Sequence, residues 1–205
     1  MDFLRKSLLA ILLLAFTAIQ AQQADKQIVA FEKSYSYEAD GKYTEAIQEI
    51  LNIFEETSYE HNLRLGWLYY MSGRFTESLP YYQKCFTLKP LSIEARLGFI
   101  NPAAALGNWT QVEQQYTEIL RIDPQNSLVN YRMALIAYGR EDFHAALRYL
   151  NKVINLYPFD YDTVIMIAWT ELKLGKLREA KVMFQKTLLI RPGDASAKEG
   201  LLLIK

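Results

Sequence analysis

The residues in this chain that are best suited to chemistry are few, and they stand far apart. The sequence has two histidines, His61 and His144, and one cysteine, Cys85. None of them belongs to a His/Cys/carboxylate group at the spacing that holds a metal ion. The sequence also lacks a glycine-rich phosphate loop and a nucleophile-elbow motif. We therefore expect no catalytic site, no metal site and no cofactor, and a hydrolase or other enzyme is disfavoured.

The first 21 residues have the pattern of an export signal. Arg5 and Lys6 precede an apolar run from Leu8 to Ile19, and Ala21 ends a cleavage motif. The run is short for a membrane span, which needs about 20 apolar residues, although an uncleaved anchor is an alternative. We expect residues 1–21 to be a signal peptide and residues 22–205 to be the mature domain. The protein is then exported, and either periplasmic or secreted.

The mature chain is almost neutral. Without Asp2, Arg5 and Lys6 it has 21 basic and 22 acidic residues. Nucleic-acid binding depends on an excess of basic residues that neutralise phosphates, so nucleic acid is disfavoured as a partner. No later segment is apolar enough for a stable membrane span. A single cysteine cannot form an intrachain disulfide, so the fold depends on its core.

A phrase of seven residues recurs along the chain. It begins at Gly41, Gly73, Gly107, Glu141 and Gly175, at spacings of 32, 34, 34 and 34 residues. Apolar residues at helical spacing stand on both sides of each phrase. Prolines close four repeats, at Pro90, Pro124, Pro158 and Pro192. Since glycine permits the backbone that ends a helix and proline cannot continue one, each repeat predicts helix, turn and second helix.

These repeats resemble those of the tetratricopeptide repeat family. The second repeat carries the family's pattern at Leu65-Gly66, Tyr69, Gly73, Phe75, Tyr82 and Pro90. The fourth and fifth match it at Ala134, Phe143, Ala146, Pro158, Ala168, Gly175, Ala180, Phe184 and Pro192. The resemblance implies an all-α superhelical solenoid of five helix–turn–helix repeats. These lie at about residues 27–58, 59–92, 93–126, 127–160 and 161–194, with a capping helix over 195–205.

Within the family's 34-residue repeat, places eight, twenty and twenty-seven adjoin a neighbouring helix closely. Cys85 stands at place twenty-seven, so we expect a small buried residue rather than a reactive thiol. In the capping helix, Asp194 or Ser196 is the expected N-cap. Leu201, Leu202 and Ile204 are expected to cover the fifth repeat.

The third repeat departs from the pattern at Pro102. If Gly107 marks its turn, the large residues Ile100, Val112 and Ile119 occupy the three close-approach places. If Leu97-Gly98 takes places seven and eight instead, the first helix ends near Asn101 and an enlarged turn follows. We favour the second register, and in either one we expect a kink, break or loop near Pro102. That irregularity indicates either a hinge or widened pocket, or a tolerated local feature.

In the family, the first helices line a concave groove through places two, five, nine, twelve and thirteen. Carried onto this sequence, those places also give Ile28, Leu128, Leu172 and Lys173. The candidate partner-binding residues are Phe31, Tyr35, Leu63, Trp67, Tyr70, Met71, Tyr131, Leu135, Tyr138, Ile165 and Trp169. This apolar, aromatic set predicts a groove for a peptide or helix of a partner protein. The alternative is that Phe31, Trp67 and Trp169 pack mainly against neighbouring helices.

The family's carboxylate clamp is not expected here. Phe31 and Tyr35 stand where the clamp needs Lys and Asn, and Arg64 and Arg132 are isolated. Charge is uneven along the repeats, with a balance of −5 over residues 27–58 and +2 over residues 161–194. Oppositely charged ends suggest head-to-tail self-association. We therefore predict a non-enzymatic scaffold or adaptor for protein–protein binding. The alternative is a structural assembly component that uses its convex or end surfaces.

Overall fold

A computed structural model describes residues 23–204 of the chain. Within that range the chain forms eleven α-helices and no strands. They are α1 (residues 23–39), α2 (Tyr43–Leu51), α3 (Tyr59–Met71), α4 (Phe75–Leu88), α5 (Ile93–Ala105), α6 (Trp109–Ile122), α7 (Ser127–Gly139), α8 (Phe143–Leu156), α9 (Tyr161–Lys173), α10 (Leu177–Ile190) and α11 (Ala195–Leu203). The predicted all-α class is confirmed, whereas the predicted signal peptide lies outside the described residues.

The described residues form two compact units. The N-terminal unit ends at Val112 and the C-terminal unit begins at Glu113, so the division falls within α6. The N-terminal unit has its core where α2 packs against α3, with Ala46, Ile50, Leu65 and Leu68 buried. The C-terminal unit has cores around Ala134, Leu150 and Ile167 and around Ala168, Phe184 and Ala197.

The predicted turns lie between the first and second helix of each pair. Gly41, Gly73, Gly107 and Gly175 take φ values of 74°, 76°, 75° and 72°, in the left-handed region that favours glycine. Glu141 replaces glycine at the equivalent place of the fourth pair and has φ 60°. The backbone there follows the same path despite the side chain, because the Asp142 N–H still bonds the Ala137 carbonyl at 3.0 Å.

Helices α3, α5, α7, α9 and α11 each begin at an N-cap of the same kind. One polar side chain accepts the N–H three residues ahead in every case, and this satisfies a helix donor that would otherwise lack a partner. The caps are Ser58, Ser92, Asn126, Asp160 and Asp194. Asp194 is thus the cap of α11, as one of the two expected alternatives.

The third pair corrects the prediction at Pro102. Helix α5 continues through Pro102 to Ala105 instead of ending near Asn101, and the turn is at Gly107. The favoured register and the expected break or loop were therefore wrong. Proline removes the bond that residue 102 would donate to the Gly98 carbonyl. Burial of Phe99, Ile100 and Ala103 offsets that loss by packing.

The capping helix differs from expectation at one residue. Ala197 lies in the core beside Phe184, and Leu201 and Ile204 pack against that core. Leu202 is instead one of the most exposed apolar side chains described. It faces away because Gly200 is the residue that meets the Phe184 ring, and residues 200 and 202 lie on different sides of the helix.

Candidate functional site

An aromatic surface lies on the first helices of the N-terminal unit. Tyr35 of α1 is 57% exposed, and Trp67 and Met71 of α3 are 37% and 38% exposed. Tyr70 and Leu63 beside them are half-buried. The rings of Trp67 and Tyr70 are 6.0 Å apart and tilted by 51°. We call Tyr35, Leu63, Trp67, Tyr70 and Met71 the aromatic face.

A partly buried ion pair holds this face in place. Arg64 is buried, donates from Nε to Ser34 Oγ at 3.1 Å, and bonds Glu38 through Nη1. Its guanidinium lies 3.8 Å from the centroid of the Tyr35 ring. The other Glu38 oxygen accepts the Trp67 indole N–H at 2.5 Å. One carboxylate therefore fixes both the arginine under Tyr35 and the orientation of Trp67.

Arg64 lacks the other residues of a carboxylate clamp, as the sequence predicted, but it is paired within the fold. Its bonds to Ser34 and Glu38 use the guanidinium inside the fold, and a charge-assisted bond of this kind is among the stronger ones in proteins. The sequence did not predict these bonds, because they join residues on two helices that are far apart in the chain. The one available signal was Glu38 at place twelve of the first repeat, in the middle of an otherwise apolar face.

Phe31 contributes to packing more than to the surface. It is half-buried, packs against the α2–α3 core and lies 5.9 Å from the His61 ring. His61 is buried and accepts the Glu55 N–H at Nδ1, at 3.1 Å. Burial lowers the pKa of this imidazole. Phe31 therefore packs against neighbouring helices, as the alternative interpretation of the sequence predicted. His61 is a neutral core residue.

In the C-terminal unit, the predicted binding residues of α7 are less exposed than those of the aromatic face. Tyr131, Leu135 and Tyr138 of α7 are half-buried, and Leu128 is exposed. Tyr138 meets the ring of Phe143 edge-on at 5.2 Å. The aromatic side chains of α7 therefore offer less exposed surface to a partner than those of α3.

Two predicted binding residues of α9 belong to the core instead. Ile165 is buried beside Ala168, Ala180 and Phe184, so we exclude it from the candidate face. The Trp169 indole N–H donates to Ser196 Oγ at 2.9 Å, and its ring meets Phe184 edge-on at 5.1 Å. Helices α10 and α11 therefore use these side chains for packing.

Cys85 is a buried side chain, as predicted. It is fully buried, and its thiol donates to the Tyr59 carbonyl at 3.5 Å. Burial raises the pKa of this thiol to about 12, so the reactive thiolate is scarce at neutral pH. His144 is exposed at the start of α8. Among residues 23–204, no three His, Cys, Asp or Glu side chains are grouped to hold a metal ion.

Comparison with family models decides the family. The model of the EMC2 TPR-like repeat domain matches residues 86–196, more than half of the chain, and a tetratricopeptide repeat model matches residues 61–90. The chain belongs to the tetratricopeptide repeat family. Within residues 23–204, none of the helices has both the length and the apolarity that crossing a membrane requires.

Curated relatives match this chain over part of their own length. Human protein O-mannosyl-transferase TMTC1 is 30% identical over 140 residues, which is 65% of this chain and 16% of that protein. The TPR repeat-containing protein YpiA of Bacillus subtilis is 23% identical over 184 residues, 88% of this chain and 43% of that protein. The chain therefore spans less than half the length of either relative.

Solved tetratricopeptide structures share the fold. A tetratricopeptide repeat protein from Parabacteroides merdae superposes with a TM-score of 0.72 at 18% identity, over 86% of this chain and 71% of that one. MamA gives a TM-score of 0.68 at 16% identity, over 82% of this chain and 92% of that one. These similarities confirm the predicted helical-repeat fold.

Proposed function

We propose that this chain is a non-enzymatic scaffold that binds a peptide or helix of a partner protein on the aromatic face. Tetratricopeptide repeat proteins bind protein partners, and the repeat fold supports that role here. The observation that carries the finer proposal is the exposure of Tyr35, Trp67 and Met71 beside the partly buried Glu38–Arg64 pair. An exposed aromatic cluster of this kind usually marks a binding surface.

Magnitudes support an apolar or aromatic segment as the bound element. A fully covered aromatic side chain removes about 150–250 Å² from water. Tyr35 and Trp67 are only 57% and 37% exposed, so a partner can cover about 55–140 Å² of each, and at about 25 cal/mol per Å² each contributes about 1.5–3.5 kcal/mol before the cost of association is subtracted. The hydrogen bond from Trp67 to Glu38 and the contact of Tyr35 with Arg64 hold both rings before binding, which reduces the entropy lost on association.

A selected peptide library tests this proposal. Random 15-residue peptides are selected on the purified chain, and affinities of the selected peptides are measured by fluorescence anisotropy of dye-labelled peptides, which does not depend on the tryptophans of the chain. We expect enrichment in aromatic and large apolar residues, and binding at least about 30-fold weaker in Trp67→Ala, a loss of about 2 kcal/mol. Trp109→Ala is the matched control, because Trp109 is exposed at the start of α6 and lies outside the aromatic face.

Two results contradict the proposal. Peptides whose affinity is unchanged in Trp67→Ala and Tyr35→Ala would place their site elsewhere. Equal loss in Trp109→Ala and Trp67→Ala would indicate nonspecific binding to exposed tryptophan. Because Trp67 and Tyr35 are exposed, we expect both truncated variants to keep their core and their fold. Urea unfolding of each variant checks this.

We also propose that the chain is exported to a periplasm or secreted, since residues 1–21 have the pattern of a signal peptide. Sequencing the N-terminus of the protein recovered from its native cell fraction tests this. A mature chain that begins at Gln22 in the exported fraction is expected. A chain that keeps Met1 in the cytoplasmic fraction contradicts it.

Self-association is a second proposal, because the two ends of the repeat array carry opposite charge. The balance is −5 over residues 27–58 and +2 over residues 161–194. Sedimentation at low and high salt tests it: a larger species at low salt that is lost at high salt is expected, since screening weakens contacts between exposed charges. A monomer at low salt contradicts it.

A further inference from the structure

Helices α10 and α11 expose apolar residues at places where the other described repeats have buried or polar ones. Leu202 stands at place eight of α11 and is 80% exposed. The residues at place eight of the five complete pairs are all buried. They are Ser34, Gly66, Ile100, Ala134 and Ala168.

Helix α10 also exposes apolar residues. Val182 and Leu189 are both exposed, although the same two places hold polar residues or proline on the other long second helices. Those residues are Pro80 and Thr87 on α4, Gln114 and Arg121 on α6, and Arg148 and Asn155 on α8. Arg178 and Lys181 flank Val182 on the same helix face, and Lys198 lies one turn before Leu202. We call Arg178, Lys181, Val182, Leu189, Lys198 and Leu202 the tail face.

The first helix exposes the complementary surface. Val29 stands at place three of α1 and is 49% exposed. The residues at place three of the later first helices and of α11 are fully or almost fully buried. They are His61, Ala95, Val129, Thr163 and Ala197.

Acidic residues share this side of α1, and the exposed Lys26 and Lys33 also lie one turn from Val29. Asp25, Ile28, Val29 and Glu32 are spaced three, four and seven residues apart, so they lie on one helix face, and all four are exposed. Neither carboxylate pairs with a described residue. We call Asp25, Ile28, Val29 and Glu32 the head face.

We propose that the tail face of one copy of this chain binds the head face of the next copy. This proposal rests on the self-association proposed above and identifies the two surfaces that would form the contact. Both faces combine apolar residues with charge, and the repeats that carry them have net charges of opposite sign, −5 over residues 27–58 and +2 over residues 161–194. Each face also exposes a place that the interior repeats bury, so joining them removes the two largest departures from the interior pattern. Different faces meeting in this way extend into an open chain or close into a ring.

An anionic membrane is the other surface that a basic, apolar helix face suits. The second copy is favoured because the head face supplies matching acidic and apolar residues on the same molecule. A membrane accounts for the tail face alone and leaves Val29, Asp25 and Glu32 without a role.

Two variants, each blocked at one end, test the proposal. The head variant carries Val29→Gln and Glu32→Lys, and the tail variant carries Lys181→Glu and Leu202→Gln. All four positions are exposed, so the fold is retained in both. The control is Arg148→Glu, which reverses one exposed charge on α8 outside both faces. Sedimentation velocity at low salt measures the species formed by each chain and by an equimolar mixture of the two variants.

We expect the unaltered chain and the control to form larger species as concentration rises, and each variant alone to stay monomeric. The mixture is expected to form a 1:1 heterodimer and nothing larger, because only one intact head and one intact tail can meet. A monomeric unaltered chain overturns self-association as a whole. Larger species that persist in both variants, or a mixture that stays monomeric, overturn these surfaces alone.

The membrane outcome is measured with the same proteins. The chain is mixed with vesicles that contain phosphatidylserine, and bound protein is separated by flotation. A monomeric chain that binds these vesicles, with binding lost in the tail variant and kept in the head variant, overturns the proposal in favour of a membrane-binding tail face.

Discussion

The ring of Tyr82 packs so closely against Gly98 on the next first helix that a Cβ atom at position 98 would lie 2.2 Å from Tyr82 Cε1. The other side of the same ring lies against Gly66, where a Cβ atom would be 3.0 Å away. Tyr82 therefore fills the space between two first helices, and glycine on both sides sets their separation. Phe184 has the same relationship to Gly200 of α11, at 2.1 Å.

We expect Gly98→Ala to destabilise the protein by about 1–3 kcal/mol, the usual cost of an overpacked core. Tyr82 is buried and cannot move its ring into solvent. The control is Gly139→Ala on α7, where an added Cβ meets nothing, so the gain in helix propensity should stabilise by about 0.5–1 kcal/mol. Urea unfolding midpoints measure both. Equal effects of the two substitutions would show that the Tyr82 contact is not tight.

Removing the charge of Glu38 should destabilise the N-terminal unit. Glu38→Gln leaves the buried Arg64 guanidinium without its charged partner; because Glu38 itself is partly exposed, we expect a cost of about 1–3 kcal/mol, below that of a fully buried pair. The emission of Trp67 should shift as well, because its indole N–H loses a carboxylate acceptor. Asp40→Asn, which breaks an exposed pair with Lys42, is the control and should have no measurable effect. An unchanged unfolding midpoint in Glu38→Gln would contradict the structural role of the pair.

Glu171 should make the stability of the C-terminal unit depend on pH. Burial, together with the nearby Glu179 carboxylate, raises its pKa from the ordinary value of 4.5 to about 6. Between those two pH values the folded chain holds a proton that the unfolded chain has released. The free energy of unfolding therefore falls by about 2 kcal/mol as pH rises through that window.

Glu171→Gln should remove this dependence and stabilise the protein at neutral pH by up to about 2 kcal/mol. Thermal unfolding from pH 4 to pH 8 measures it. Glu199→Gln is the control, because Glu199 is exposed on α11. Parallel pH profiles for the unaltered chain and Glu171→Gln would show that the carboxyl group is solvated in solution.

The backbone at Glu141 should relax when glycine replaces the side chain. Its φ of 60° costs an ordinary residue about 1–2 kcal/mol, whereas glycine adopts that region freely. We expect Glu141→Gly to stabilise by about 0.5–1 kcal/mol after the greater flexibility of the unfolded chain is subtracted. The reciprocal change Gly73→Glu should destabilise by a similar amount, as read from urea midpoints. A loss of stability in Glu141→Gly would mean that the Glu141 side chain makes a stabilising interaction of its own.

The helices and turns were predictable because the residues that set them act locally. The recurring glycines and prolines predicted where helices end, and the cysteine at place twenty-seven was correctly predicted to be buried. The third pair was not predictable in the same way. Gly98 matched the family's place eight by letter, but in the fold it stands at place six. Both places adjoin the same kind of ring, Tyr82 here, so glycine at either one satisfies the packing.

By itself, the sequence determined the repeat period, the helical class and the aromatic character of the first helices, since these follow from residue type and short-range spacing. Only the tertiary structure decided which aromatic residues are available to a partner. Trp67 and Trp169 stand at the same place of their repeats, yet Trp67 stays on the surface and Trp169 packs on Phe184 and bonds Ser196. The physical reason is that exposure depends on which helix packs alongside, and that neighbour is chosen by contacts between residues far apart in the chain.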